Sequence, residues 1–135
     1  MSDTTLLRAG PAKCVLIVDD AGAITDSLRR LFRRDGHVVE IATDGQDALD
    51  KFRPGKYDLI ITDYQMPGIS GLELAEIIKR RAANQPILLI TAFAFTIAAA
   101  GANGLPVDFV LRKPFSVAEL QSALAEVFKA RAAGK

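Results

Sequence analysis

Val15-Leu16-Ile17-Val18 is a short apolar run that leads directly into Asp19-Asp20, and Leu59-Ile60-Ile61-Thr62 leads into Asp63 in the same way. Short runs of β-branched and aliphatic residues bounded by turn-forming residues are typical of buried parallel strands. Ligands of open α/β sheets bind outside the carboxyl ends of the strands. If the two runs form neighbouring strands, three carboxylates converge on one small site, where a cation would relieve their repulsion.

Strands and helices alternate along the rest of the chain. The pattern predicts strands at 14–18, 38–42, 58–62, 86–91 and 107–112. It predicts helices at 22–35, from Thr43 or Asp44 onward, at 70–82, at 95–102 and from Ser116 to about 130. Capping-box spacing marks three helix starts, at Thr43 with Gln46, Ser70 with Glu73, and Ser116 with Glu119. Five βα units with right-handed crossovers predict an α/β fold, a parallel sheet with helices on both faces.

Length and composition limit the possible functions. The chain has 135 residues, of which 50% are hydrophobic and 24% are charged, with a net charge of +1. This predicts one soluble domain with one core, and the charge gives no indication of nucleic-acid binding. No apolar stretch approaches the roughly 20 residues of a membrane span. We expect a cytoplasmic protein with a flexible leader at 1–12, a domain at 13–130 and a frayed tail at 131–135.

Two single residues have simple interpretations. Cys14 is the only cysteine, which excludes a disulfide within the chain and fits a reducing compartment. Its position at the start of an apolar strand predicts a buried structural thiol. His37 follows Gly36 at the start of the second strand, away from the acidic residues, and we expect a surface or turn residue there.

Asp63 is the candidate nucleophile, because an aspartate on an open loop at a strand end can form an acyl phosphate. Asp19 and Asp20 beside it indicate Mg²⁺, which prefers a few carboxylate oxygens and keeps several waters. Thr91 ends the fourth strand and Lys113 ends the fifth, where a hydroxyl and an ammonium can contact phosphoryl oxygens. Each residue alone has a structural explanation, such as helix capping by Asp20. Together they predict a Mg²⁺-dependent phosphoryl-acceptor site.

Over about residues 13–130 the chain resembles the receiver domain of a two-component response regulator, of the chemotaxis-regulator type. The motifs that carry this resemblance follow the family order and spacing: Val18-Asp19-Asp20, Asp63-Tyr64-Gln65-Met66-Pro67-Gly68, Thr91-Ala92 and Lys113-Pro114-Phe115. The resemblance implies a flavodoxin-like fold with five parallel strands in the order 2-1-3-4-5 and five helices. It also implies a phosphorylation-dependent switch rather than an enzyme that acts on an outside substrate.

The resemblance implies a role for each site residue. Asp63 would accept a phosphoryl group from a sensor histidine kinase or a histidine phosphotransfer protein. Mg²⁺ would be bound by Asp19, Asp20, Asp63 and the backbone carbonyl of Gln65. Thr91 and Lys113 would contact the phosphoryl group, and the Lys113–Pro114 peptide bond is typically cis in this family. The output surface would comprise the helix at 95–102, the last strand and the last helix, and could bind a partner or a second copy, with no direct binding of nucleic acid or membrane.

The sequence departs from the family pattern at two places. Family members often have an aromatic residue three positions before the lysine, where this chain has Val110. Phe109 cannot simply replace that ring, because adjacent strand residues face opposite sides. The stretch 82–107 also contains no charged residue. We hypothesise that the helix at 95–102 is mobile or forms the output interface. Phe93 or Phe95 would then take over part of the switch, and Phe93 would slow dephosphorylation by shielding the site.

Three other function classes explain the sequence less completely. A pseudo-receiver, an interaction module that is not phosphorylated, fits Val110 and the uncharged stretch but leaves the set of five site residues unexplained. A phosphatase with an aspartyl nucleophile usually has a second aspartate two residues away on the same strand, but Gln65 is in that position after Asp63. A dinucleotide-binding domain needs a glycine-rich turn after the first strand, which is missing here.

Overall fold

The computed structural model describes residues 13–20, 22–92 and 105–133. Its strands are β1 (Cys14–Val18), β2 (Val38–Ala42), β3 (Leu59–Asp63), β4 (Ile87–Thr91) and β5 (Phe109–Arg112). The helices within the described ranges are α1 (Ala23–Arg34), α2 (Gly45–Lys51), α3 (Gly71–Arg81) and α4 (Val117–Ala133). The strands form one parallel sheet in the order β2-β1-β3-β4-β5, which confirms the predicted topology. The predicted leader at 1–12 and the predicted helix at 95–102, with Phe93 and Phe95, lie outside the described residues.

The central strands are buried on both faces because helices cover the sheet from both sides. Val15 and Ile17 of β1 point into a core shared with α1 and α4, where they meet Leu28 and Leu124. Their neighbours on the same strand, Leu16 and Val18, point into a second core shared with α2 and α3. This alternation follows from the two-residue period of a strand. It explains why β1 and β3 are apolar at every position until their carboxyl ends.

The helix starts show which capping predictions hold. Ser70 and Glu73 form a reciprocal capping box at α3, and Ser116 and Glu119 exchange the same pair of hydrogen bonds at the start of α4. The predicted Thr43–Gln46 box is wrong by one residue. Asp44 is the N-cap of α2 and accepts a hydrogen bond from the Asp47 backbone N–H at 2.8 Å. The helix therefore begins at Gly45, one position later than that box required.

His37 is buried, so the expectation of a surface residue was wrong. Its Nδ1 accepts a hydrogen bond from the Lys13 backbone N–H at 2.8 Å, and its ring packs edge-on against Phe32.

Val117, which the apolar pattern of the last helix would bury, is exposed. None of the helices in the described ranges combines the length and apolar character that a membrane span requires.

Cys14 is only partly buried at the start of β1. Burial raises the pKa of its thiol, and the carboxylates of Glu40 and Asp58 raise it further. The thiolate, which is the reactive form, is therefore disfavoured. This agrees with a structural role for Cys14.

Candidate phosphoryl-acceptor site

The sheet register brings the three aspartates together. Val18 of β1 pairs with Thr62 of β3, so Asp19 and Asp63 follow at the same edge of adjacent strands. One carboxylate oxygen from each of Asp19, Asp20 and Asp63 lies within 4.8 Å of the others. Asp19 is buried, Asp63 is half-buried and Asp20 is exposed. The cluster therefore reaches from the interior of the sheet edge to solvent.

Lys113 brings a positive charge to the same edge. Its Nζ donates a hydrogen bond to Oδ2 of Asp63 at 3.1 Å, which forms an ion pair between β3 and the end of β5. The Lys113 backbone N–H donates to the carbonyl of Thr91 at 3.0 Å. Thr91 is buried at the end of β4, and the Lys113–Pro114 peptide bond is cis, as expected. All five predicted side chains thus lie at the carboxyl ends of four strands or in the loops that follow.

Opposing effects act on the pKa of Asp63. Burial raises the pKa of the Asp63 carboxyl, the ion pair with Lys113 lowers it, and the charge of Asp19 raises it again. The net direction is upward. The ionised form of Asp63 is therefore less stable in the folded protein than in water, although the ammonium is in contact with it.

The loop after β3 connects Asp63 to α3 through backbone contacts. The Tyr64 N–H donates to the carbonyl of Ile90 at 2.9 Å, and the Gly71 N–H donates to the carbonyl of Tyr64 at 2.8 Å. Gly68 has a φ of 80°, which favours glycine because other residues are strained there. Gln65 lies between these anchors and is exposed. Its carbonyl therefore belongs to a loop that is fixed at both ends.

Gly71 is a site residue that the sequence did not reveal. A Cβ atom at this first residue of α3 would clash with the backbone oxygen of Asp63. The helix can begin directly against the candidate nucleophile only because position 71 has no side chain. A glycine just after the N-cap, where many residues are tolerated, was the available indication.

Gly71→Ala should lower the melting temperature and weaken binding at the aspartate cluster. The methyl group must displace the backbone of Asp63 or the start of α3, and overpacking of this kind costs about 1–3 kcal/mol. Thermal denaturation and Mg²⁺ titration of the variant measure the two effects. Gly55→Ala is a matched control, because an added Cβ has nothing within 4 Å there and only the backbone strain at φ 83° remains. Equal Mg²⁺ affinity in Gly71→Ala and wild type would contradict the expected displacement.

The family comparison agrees with this geometry. The protein-family model for the response regulator receiver domain matches residues 15–125 of this chain. The chain belongs to this family. The receiver is 34% identical to the transcriptional regulatory protein TcrA of Mycobacterium tuberculosis, an alignment that covers 92% of this chain and 53% of TcrA. It is 35% identical to the response regulator MprA of Mycolicibacterium vanbaalenii, over 78% of this chain and 46% of MprA. The chain spans about half the length of these relatives.

Solved receiver structures share the fold. The response regulator TrrA of Thermotoga maritima, determined in complex with Mg²⁺ and BeF, is 34% identical with a TM-score of 0.75, covering 85% of this chain and 98% of TrrA. A CheY-like receiver domain of Methanospirillum hungatei is 25% identical with a TM-score of 0.82, covering 92% of this chain and 99% of that domain. The predicted resemblance to response regulator receivers is therefore confirmed.

β5 carries the departure from the usual receiver pattern. Phe109 packs against the core that contains Leu111, Leu120 and Leu124, on the α1 and α4 side of the sheet. Val110 is partly buried. Because it lies between Phe109 and Leu111 along the strand, its side chain faces the other side of the sheet. The aromatic ring of this strand thus lies on the opposite face from position 110.

Proposed function

We propose that this receiver is a phosphorylation-dependent signalling switch in which Asp63 takes a phosphoryl group from a phosphohistidine donor. The observation that carries the proposal is the environment of Asp63. Its carboxylate has an ammonium at 3.1 Å and two further carboxylates grouped around it within 4.8 Å. A single buried aspartate would not need this arrangement, whereas a phosphoryl acceptor needs both a nucleophile and charge compensation.

In the proposed transfer, a carboxylate oxygen of Asp63 attacks the phosphorus of the donor. The new P–O bond forms as the P–N bond to the donor imidazole breaks, and the electron pair of that bond goes to the leaving nitrogen. Lys113, already paired with Asp63, would then neutralise charge on the phosphoryl oxygens. The hydroxyl of Thr91 would provide a hydrogen bond to the phosphoryl group. The protein would promote its own phosphorylation and its own dephosphorylation by water.

The residues at this edge fit a magnesium ion. Asp19, Asp20 and Asp63 supply three carboxylates at close range, and the backbone carbonyl of Gln65 would add a fourth oxygen. Hard oxygen donors in this number suit Mg²⁺, which keeps its remaining positions for water and phosphate. When bound, the ion would supply positive charge against the transferring phosphoryl group. Burial raises the pKa of Asp63 and the charge of Asp19 raises it further, and Lys113 does not offset both, so a bound cation would stabilise the ionised carboxylate.

The proposed output surface comprises β5, α4 and the segment at 95–102. Phosphorylation would shift a two-state equilibrium of this surface and so change its affinity for an output partner or a second copy. Val110 cannot act as an inward-swinging ring, so Phe93 or Phe95 remain the proposed aromatic participants. The donor would be a sensor histidine kinase or a histidine phosphotransfer protein.

Incubation with MgCl₂ and acetyl phosphate, followed by intact mass measurement, tests the proposal. We expect the addition of one phosphoryl group, which should not occur when EDTA replaces MgCl₂. No addition would overturn the proposal in favour of an interaction module that is not phosphorylated, the alternative that Val110 favours. Sustained release of phosphate from unrelated phosphomonoesters would instead indicate a phosphatase.

A further inference from the structure

Thr25 contacts the aspartate cluster from α1. Its side-chain hydroxyl donates a hydrogen bond to Oδ2 of Asp19 at 3.1 Å. Both residues are buried, with exposed fractions of 4% for Thr25 and 5% for Asp19. Asp26 and Ser27, the next two residues of the helix, are exposed. The hydroxyl of Thr25 is therefore directed into the site and not into solvent.

The side chain of Thr25 has few alternatives to this hydrogen bond. Threonine has mainly two χ1 rotamers in a helix, so its hydroxyl has few orientations available. A hydroxyl buried to this degree needs a hydrogen-bond partner, because an unpaired polar group in the interior is costly. Asp19 is likewise too buried to be oriented by bulk water. The carboxylate and the hydroxyl thus restrict each other.

We infer that Thr25 is a positioning residue for Mg²⁺ binding, because it holds the carboxylate of Asp19 in the orientation in which it faces Asp20 and Asp63. The inference rests on the proposed function, in which Asp19 is a metal ligand. Partners that orient a ligating carboxylate influence metal affinity strongly, and removing one typically costs 10- to 100-fold. Thr25 lies six residues from Asp19 on a different element, so the spacing alone did not reveal the contact.

Titration of the ¹⁵N-labelled protein with MgCl₂, followed by amide chemical shifts, tests the inference without measuring phosphorylation. Thr25→Val keeps the shape of the side chain and removes the hydroxyl, and we expect about tenfold weaker Mg²⁺ binding. Thr25→Ser keeps the hydroxyl and should bind within about twofold of wild type. Thr25→Ala, smaller and also without a hydroxyl, should bind as weakly as the valine variant. This second variant keeps the test valid if valine prevents folding.

Ser27→Ala is the matched control, since it removes an exposed hydroxyl from the same helix and should leave the Mg²⁺ affinity unchanged. Wild-type affinity in Thr25→Val or Thr25→Ala would overturn the inference and leave the proposed function intact. The same holds if Thr25→Ser binds as weakly as Thr25→Ala, because the hydroxyl would then not be the feature that matters. Absence of Mg²⁺ binding in the wild-type protein would overturn both the inference and the metal site of the proposed function.

Discussion

Asp63→Asn should abolish phosphorylation by acetyl phosphate in the presence of Mg²⁺. The amide lacks the charge and the nucleophilic oxygen that an acyl phosphate requires, while its size and shape remain almost those of aspartate. Intact mass measurement after incubation should show only the unmodified variant. Asp50→Asn is the control, because Asp50 is an exposed aspartate on α2 and its loss should leave phosphorylation unchanged. A variant at position 63 that still gains one phosphoryl group would place the acceptor elsewhere.

The same substitution should stabilise the fold when Mg²⁺ is absent. The pKa of Asp63 is raised on folding, chiefly by burial, so the ionised carboxylate is unfavourable in the native state. Asparagine removes that cost and should raise the melting temperature at neutral pH. The direction is unusual, because most substitutions of partly buried residues destabilise a protein.

The pH dependence of this gain follows from the sign of the shift. Above the folded-state pKa of Asp63 the carboxylate is ionised in both states, and the native state bears the full cost. As the pH falls through that raised pKa, the native state takes up a proton before the unfolded state does, and the cost disappears. The stability of wild type should therefore approach that of Asp63→Asn on acidification. A difference in melting temperature that grows at low pH would contradict the cause we assign.

Magnesium should reverse the order of stability at neutral pH. A ligand that binds only the native state stabilises it in proportion to its affinity and concentration. Wild type has three clustered carboxylates for the ion, and Asp63→Asn has two. Melting curves in MgCl₂ should therefore show a larger increase for wild type than for the variant. Equal increases would show that Asp63 is not part of the metal site.

The sheet and its acidic edge were predictable because they depend on short-range patterns. Apolar runs that stop at an aspartate indicate both a buried strand and the edge where it ends, and parallel register then brings Asp19 and Asp63 together. The capping box of Ser70 was predictable for the same reason. The N-cap of α2 stayed open between Thr43 and Asp44 because both are good capping residues, and only the geometry of the first turn selects Asp44.

Contacts between distant segments could not be predicted in this way. His37 is buried and accepts a hydrogen bond from the backbone N–H of Lys13, 24 residues earlier, and no local pattern encodes that pairing. The roles of Gly71 and Thr25 depend on how closely α3 and α1 approach the strand ends. These distances result from packing of whole helices on the sheet. The sequence thus predicts the chemical groups of the site, whereas the residues that hold those groups in place need the structure.

Lys113→Met should change phosphorylation and metal binding in opposite directions. The variant loses the ammonium that contacts Asp63 at 3.1 Å, and removal of a preorganised charge from a transfer site typically slows the reaction about 100-fold. The same loss removes a cation that competes with Mg²⁺ for the carboxylates. We expect about fivefold tighter Mg²⁺ binding, since a unit charge a few ångströms away is worth about 1 kcal/mol even in bulk water.

Slower phosphorylation together with tighter Mg²⁺ binding would show that the charge of Lys113 acts on the phosphoryl group and does not only stabilise the site. If Lys113 merely held the loop after β5 in place, methionine would weaken metal binding and phosphorylation together. Lys51→Met is the control, because Lys51 forms an ion pair with Asp47 on α2 at 2.7 Å and should leave both properties near wild type. Mg²⁺ titration and the initial rate of phosphorylation by acetyl phosphate measure the two quantities on the same sample. Slower phosphorylation with tighter metal binding is the combination that assigns the ammonium to the transferring group.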